Sequence, residues 1–318
     1  MKKNKLIIFL TFSFAFLIFA RRAVAQSVTK LIALPPRVEN LSAQPGDVVT
    51  REIKIQNAGS QEMVIRPEVK DFVVQNKQGR PIFLDKEVTE HENRWAMSRW
   101  INVSPGQFIL QPGETKSLDL IIVVPEDAVA GGHYAGVIYR PDTEATVGDT
   151  SGAQINPSVA ALVYLTVEGD ITEDARVTRF DIPKFMEFGP VNIETEITNF
   201  SDIHVKPKAS INIYNQFNQL KKNLKVDEQN IFPSQARAYT NSWDKKWLLG
   251  RFKAELTGSY GTQGQALQAV AYFWVVPWKV ILAVLLTIVL IILTVTYLKK
   301  KKDPEGIPDT DLKPENQA

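Results

Sequence analysis

Three histidines, His91, His133 and His204, are the only imidazoles available for acid–base work or metal binding. They stand far apart, and none has a second ligand at metal spacing such as H-x-x-x-H, so they read as surface or strand-edge histidines. Cysteine is absent, which removes thiolate zinc sites, disulfides and cysteine nucleophiles. Asp85, Glu87, Glu90 and Glu92 form an acidic stretch without EF-hand or D-x-D-x-D spacing, so it reads as a solvated loop rather than a Ca²⁺ site. Gly131 and Gly132 precede a β-patterned run, not a helix, and so cannot cradle a phosphate. No G-x-S-x-G or H-E-x-x-H motif occurs. The expectation is a protein that is not an enzyme, with no catalytic residue, cofactor or metal.

Aromatic residues beside arginines carry more information. The run Arg94-Trp95-Ala96-Met97-Ser98-Arg99-Trp100-Ile101 places two tryptophans next to guanidinium groups. Such pairs serve as binding hot spots or stack on carbohydrate. Trp100 reads as a core filler at the start of a strand. Trp95 is the candidate binding residue. Trp243 and Trp247 read as packing or domain-junction residues.

The elements that position these groups are bracketed by two apolar segments. Residues 278–298 read WKVILAVLLTIVLIILTVTYL, with Lys279 at the edge as the only charge, and end at Lys299, Lys300, Lys301 and Lys302. About 20 apolar residues in a helix cover the roughly 30 Å of a bilayer's hydrocarbon. Trp274 and Trp278 on one flank and Tyr297 on the other suit the aromatic belts, and the lysine cluster predicts a cytoplasmic C-terminal side. At the other end, Lys2, Lys3 and Lys5 precede an apolar stretch over 6–20, and Ala23-Val24-Ala25 is an A-x-A site before Gln26. This reads as a signal peptide cleaved between Ala25 and Gln26. Arg21 and Arg22 leave the alternative of an uncleaved anchor. Either way the topology expected is single-pass type I, with the domains outside and a short tail inside.

Between residues 26 and 276 short alternating runs are separated by turn residues. Val49, Ile53 and Ile55 alternate with Thr50, Glu52, Lys54 and Gln56, a half-buried strand. Further strands are expected over 63–69, 107–110, 117–124, 132–140 and 157–167, with a hairpin at Asn76-Lys77-Gln78-Gly79 and a mobile hairpin loop over 142–156. Pro67 and Pro207 mark edges or bulges. Turns every 8–12 residues indicate a β-sandwich. The pattern then restarts. A strand ending in Asn57 is echoed by one ending in Asn199, 142 residues on; Pro112-Gly113 is echoed by Pro233-Ser234, 121 residues on; and Gly132 by Gly250, 118 residues on. The order is kept while the shift shrinks, with the extra residues of the first copy around 83–104. The fold class expected is all-β: two tandem immunoglobulin-like β-sandwiches followed by a single C-terminal transmembrane helix. The divisions expected are a signal peptide at 1–25, sandwiches at 26–170 and 171–276, a membrane helix at 277–298 and a cytoplasmic tail at 299–318.

The layout also carries a resemblance. A signal peptide is followed by Pro35-Pro36-Arg37-Val38-Glu39-Asn40, Gln44-Pro45-Gly46, Leu110-Gln111-Pro112-Gly113 and Gly131-Gly132-His133-Tyr134-Ala135-Gly136. A second β-domain then leads through Phe273-Trp274-Val275-Val276-Pro277-Trp278 into the membrane helix and its lysine-rich tail. This resembles the DUF916-type, WxL-interacting protein family of bacterial surface proteins, whose second β-domain is of the DUF3324 type. The resemblance implies a cell-surface component whose first domain is linked to peptidoglycan or WxL-protein binding and whose second is linked to attachment to host or matrix partners. With a formal net charge of +2 there is no concentrated basic face for nucleic acid. The partners expected are therefore a cell-envelope protein or peptidoglycan, and the membrane. The alternative is a membrane-tethered chaperone or assembly factor that donates or accepts a β-strand. Residues 121–124 are the candidate unpaired hydrophobic edge for that role.

Overall fold

The computed structural model describes residues 30–84, 93–142 and 158–302. The signal peptide with its Ala25–Gln26 site, the acidic stretch, His91, nearly all of the expected 142–156 loop and the tail beyond 302 lie outside the described residues. The chain divides into two compact units, the first holding the described residues of Met1–Gln75 and Arg80–Thr172, the second those of Asn76–Gly79 and Glu173–Ala318.

The first unit is a sandwich. One sheet has the order β1 (Leu31–Leu34), β3 (Val48–Asn57), β8 (Thr115–Val123), β6 (Ile101–Ser104). The other runs β2 (Arg37–Ala43), β10 (Val159–Val167), β9 (Gly131–Pro141), β4 (Met63–Val74), β5 (Pro81–Phe83), with β7 (Phe108–Leu110) also pairing β4. Alternation builds the interior: Ile53 and Ile55 of β3 and Leu118, Leu120 and Ile122 of β8 face Ile65, Val137, Tyr139, Val163 and Leu165 of the opposite sheet. Pro67 sits in β4 where Tyr139 of β9 is its partner on one side, while β7 and β5 pair β4 only before and after it. The proline therefore withholds no ladder bond.

The second unit repeats this plan in fewer strands. One sheet runs β11 (Ala175–Asp181), β13 (Val191–Asn199), β16 (Ala236–Trp243). The other runs β12 (Phe185–Met186), β18 (Gln265–Val275), β17 (Gly250–Tyr260), β14 (Lys208–Asn215), β15 (Leu220–Lys225). Strand for strand, β12-β18-β17-β14-β15 reproduces β2-β10-β9-β4-β5, down to the parallel pairing of β12 with β18 and of β2 with β10. Likewise β11-β13-β16 reproduces β1-β3-β8. Strand β6 and the short 3-10 helix Ser98–Trp100 have no counterpart, and the β7–β4 pairing is reduced to the single Val205–Ile231 bridge. The core is apolar, with Ile193, Ile197, Ile211, Ile213, Leu256 and Phe273 fully buried.

The single α-helix among the described residues, α1 (Trp278–Lys302), is long and apolar enough to cross a membrane. At 25 residues it spans about 37 Å. It continues past the expected end at 298 because lysine is a good helix former and its charge suits the negative end of the helix dipole.

The structure corrects two expectations. Residues 121–124 are no free edge: β8 lies between β3 and β6, with Ile121 paired to both Thr50 and Asn102. The side chains of Ile122 and Val124 are in the core. His133 is not at the surface; it is 3% exposed. Every residue from Gly131 to Tyr139 is buried, so β9 lacks the polar–apolar alternation that would have separated its two faces.

Candidate functional site

The first unit carries a crossing between its sheets that the second lacks. Residues 93–104 leave the six-stranded sheet, where Ala96 bridges Tyr134 in parallel, and join the other sheet as β6 on β8. Their path is fixed by two buried polar residues. Asp71 of β4, 1% exposed, accepts hydrogen bonds from the backbone N–H groups of Met97 (2.8 Å) and Ser98 (2.7 Å) and from the Ser98 hydroxyl (2.6 Å). A buried carboxylate is tolerable only when its acceptor sites are filled in this way. The opposite anchor is His133 of β9, whose ring lies against Trp100 at 4.4 Å between centroids, with the two planes tilted by 43°. Its Nε2 lies 2.9 Å from the Val129 carbonyl and its Nδ1 lies 3.3 Å from the Ala96 carbonyl. Burial is the largest influence on this imidazole and pushes its pKa below the ordinary value, against the pull of the two carbonyls. Between the anchors Met97 inserts into the core at 1% exposure.

These anchors present Arg94 and Trp95 at the surface. The Trp95 N–H donates to Asn93 Oδ1 at 3.2 Å, and its carbonyl accepts from the Tyr134 N–H at 2.8 Å, so the backbone is tied on both sides. The indole itself is only half buried, with the Arg94 guanidinium carbon 4.2 Å from the ring centroid. An aromatic plane topped by a delocalised cation can stack on an apolar face and donate several hydrogen bonds at once. Because the backbone is already ordered, little conformational entropy remains to be lost when a ligand lands on it. The expectation for Trp100 matches its place: half-buried, packed against the core and the His133 ring. What the sequence did not disclose is the Asp71–His133 pairing of anchors. A lone aspartate at an inward position of a strand was the available signal.

The remaining residues singled out from sequence fall elsewhere. His204 is half-buried beside Phe232. Trp243 is a core residue of the second unit, edge-on to Phe252 at 5.6 Å. Trp247 does not pack there: it is 59% exposed, with its ring edge against Phe188. Trp274 lies exposed on β18 and Trp278 opens α1. Lys279 is held by Glu187 at 2.9 Å. Tyr297, Lys299 and Lys300 lie exposed on the last turns of α1, and the backbone of Lys301 and Lys302 completes it.

No family model and no curated protein matches the chain. Among solved structures it is similar to the class 5 fimbriae chaperone CfaA, at 14% identity over 76% of this chain and 98% of that one, with a TM-score of 0.41. It is also similar to the E. coli chaperone DraB, at 11% identity over 76% and 98%, with a TM-score of 0.36. The Pseudomonas aeruginosa CupB2 chaperone aligns at 8% identity over 77% and 100%, with a TM-score of 0.36.

Proposed function

We propose that this chain is a non-enzymatic, membrane-anchored surface protein whose first domain binds another envelope protein or peptidoglycan through the Arg94–Trp95 crest. The single observation that carries this reading is the tethering of that crest. A partly buried tryptophan beside an arginine, on a backbone held between Asp71, His133 and Tyr134, has the make-up of an interface hot spot. The resemblance to the DUF916-type, WxL-interacting family points to the same class of partner. In this reading α1 spans the cell membrane once, with both sandwiches outside and Lys299 to Lys302 at the cytoplasmic face, as the positive-inside bias favours.

The test is capture by the full-length protein in lipid nanodiscs. It is presented with solubilised envelope proteins and, separately, with insoluble wall polymer. Saturable binding to one of them that falls at least tenfold in Trp95→Ala, with an unchanged circular dichroism spectrum, is the expected result. Equal binding by Trp95→Ala would overturn the assignment of the crest.

A second reading, an assembly factor that donates or accepts a strand, has support in the sheet edges rather than in β8. Strands β2 and β11, seven residues each, have one hydrogen-bonded neighbour among the described strands. Client binding that survives Trp95→Ala but is lost when proline is placed in β2 or β11 would favour it.

A further inference from the structure

Nearly all of the large apolar side chains exposed on the second unit's sandwich gather at one end. Strand β18 ends at Val275, which is paired with Gly250, the first residue of β17. Asn215 at the end of β14 is paired with Phe252, and Trp243 at the end of β16 with Val191 at the start of β13. The β14–β15 turn, the β16–β17 loop and the exit of β18 therefore share one end of the sandwich. At that end Phe217 is 72% exposed, Trp247 59% and Leu249 68%, and Phe185 pairs with Trp274 at 57% and 48%. At the opposite end the β17–β18 turn reads Gly261-Thr262-Gln263-Gly264, and Phe200 is the one large apolar residue exposed there among the described residues.

The β16–β17 loop is built to keep this arrangement. Leu248 is buried while its neighbours Trp247 and Leu249 point outward, and the Lys246 carbonyl accepts the Gly189 N–H at 3.0 Å. A Cβ on Gly189 would lie 2.0 Å from the Lys245 carbonyl oxygen, so only glycine lets the two segments approach this closely. The two outward apolar residues follow Lys245 and Lys246, both exposed. Exposed apolar side chains in water are a cost that a soluble surface avoids in clusters. A cluster flanked by a pair of lysines matches the chemistry of an anionic bilayer interface.

The position of α1 identifies the occupant. Trp278 is three residues after Val275, a reach of at most about 10 Å, and Gly250 is about 5 Å from Val275 across the ladder. The loop thus ends within about 15 Å of the helix start. The connection is no free spacer: the Val276 N–H donates to the Met186 carbonyl at 2.9 Å, and Lys279 in the first turn of α1 pairs with Glu187 at 2.9 Å.

We propose that this end of the second domain is seated in the headgroup layer of the bilayer, with Trp247 and Leu249 inserted between lipids and Lys245 and Lys246 on anionic headgroups. The inference rests on the reading of α1 as a membrane span. The absence of cysteine makes a site-by-site test direct. Nitroxide labels are placed at Leu249→Cys, Gln263→Cys and Leu290→Cys in the full chain, reconstituted in phosphatidylcholine vesicles with and without phosphatidylglycerol. Collision with oxygen and with a water-soluble nickel complex then reports depth. The expected result is Leu290 in hydrocarbon, Gln263 in water, and nickel collisions at Leu249 several-fold below those at Gln263, falling further with phosphatidylglycerol. Leu290 in hydrocarbon with Leu249 as accessible as Gln263 overturns the seating while leaving the span intact. Leu290 in water overturns both. Charge reversal by Lys245→Glu with Lys246→Glu should abolish the effect of phosphatidylglycerol, and its persistence would remove the lysines from the proposal.

Discussion

Asn57 and Asn199, 142 residues apart, make the same set of hydrogen bonds, each inside its own domain. Each side-chain amide donates to the carbonyl four residues on, Gln61 at 2.7 Å or Ile203 at 2.8 Å. It donates again to a distant carbonyl, Leu110 at 3.2 Å or Ile231 at 2.8 Å. Each Oδ1 accepts the N–H two residues on, Gly59 at 2.9 Å or Ser201 at 2.8 Å. Each backbone N–H donates to a further carbonyl at 2.9 Å, Glu114 or Gln235. Both residues are fully buried. Two donors and one acceptor are needed at once on a short side chain, and only asparagine supplies them.

Removing that amide takes a hydrogen-bond partner from three backbone groups in each domain, and in each the distant carbonyl, Leu110 or Ile231, belongs to a buried residue. Asn57→Ala and Asn199→Ala should each lower the stability of their own sandwich by about 2–4 kcal/mol. Asn57→Asp and Asn199→Asp should fare no better, because a carboxylate replaces both donors with lone pairs beside carbonyl oxygens. Urea unfolding of the full chain in nanodiscs reads this directly. A loss under about 1 kcal/mol would mean that the strand ends are held by other contacts.

This pair also marks how far the sequence could be read. Asn-ended strands, Pro-Gly turns and the shrinking shift between copies were visible because turn chemistry is local. The same spacing of 121 residues that links Pro112 to Pro233 links Leu110 to Ile231 in the asparagine bonds. The crossing at 93–104 was not visible, because its anchors, Asp71 and His133, are far from it in sequence. His133 reads from sequence as a surface or strand-edge residue because its strand is buried on both faces, which erases the period-two signal. The 121–124 run looked like an edge because pairing partners are not written in a strand's own composition. Trp95 stood out by its neighbour Arg94, but nothing local told that its backbone would be tied.

Gly113 and Ser234 test the repeat from another side. They occupy equivalent turns, and both have left-handed backbone, φ 77° and 59°. A Cβ at Gly113 would meet nothing within 4 Å, so Gly113→Ala carries only the torsional cost of about 1 kcal/mol. Ser234→Gly relieves a similar strain but gives the unfolded chain more freedom, about 0.5–1 kcal/mol. The net change expected at Ser234 is under about 0.5 kcal/mol in thermal melts, and a larger loss would show that its side chain holds the turn.

Tyr139 is a core residue whose hydroxyl finds no hydrogen-bond partner among the described residues, and Tyr239 is in the same condition. Burial raises both phenols, pushing Tyr239 up to about 12. A buried hydroxyl without a partner opposes folding, so Tyr139→Phe should be neutral or stabilising by about 1 kcal/mol. Destabilisation beyond about 1 kcal/mol would reveal a partner for the oxygen.

His133 links stability to pH. A neutral imidazole donates through one nitrogen only, and the 2.9 Å contact to the Val129 carbonyl favours Nε2–H. The other nitrogen then turns its lone pair toward the Ala96 carbonyl, a repulsion that protonation would relieve. Burial outweighs this and keeps the folded pKa below the ordinary value of 6.5; nearby, Arg94 acts in the same direction and Asp71 against it. A folded pKa that is depressed means that the unfolded chain binds the proton first as pH falls. The contribution is therefore fully present above about pH 6.5 and is lost on acidification through and below that value. Other groups titrate in the same range, so the informative quantity is the difference between wild type and His133→Gln, which keeps an amide donor but has no charge to gain. Melts from pH 8 to pH 5 should show the wild type losing stability more steeply than the variant. A wild type that gains on the variant as pH falls would mean that the two carbonyls dominate and the histidine is charged in the fold. The same scan followed at the Arg94–Trp95 crest, by the fluorescence difference between wild type and Trp95→Phe, tells whether the crossing loosens with its anchor, since Ala96 and Trp100 touch the imidazole directly.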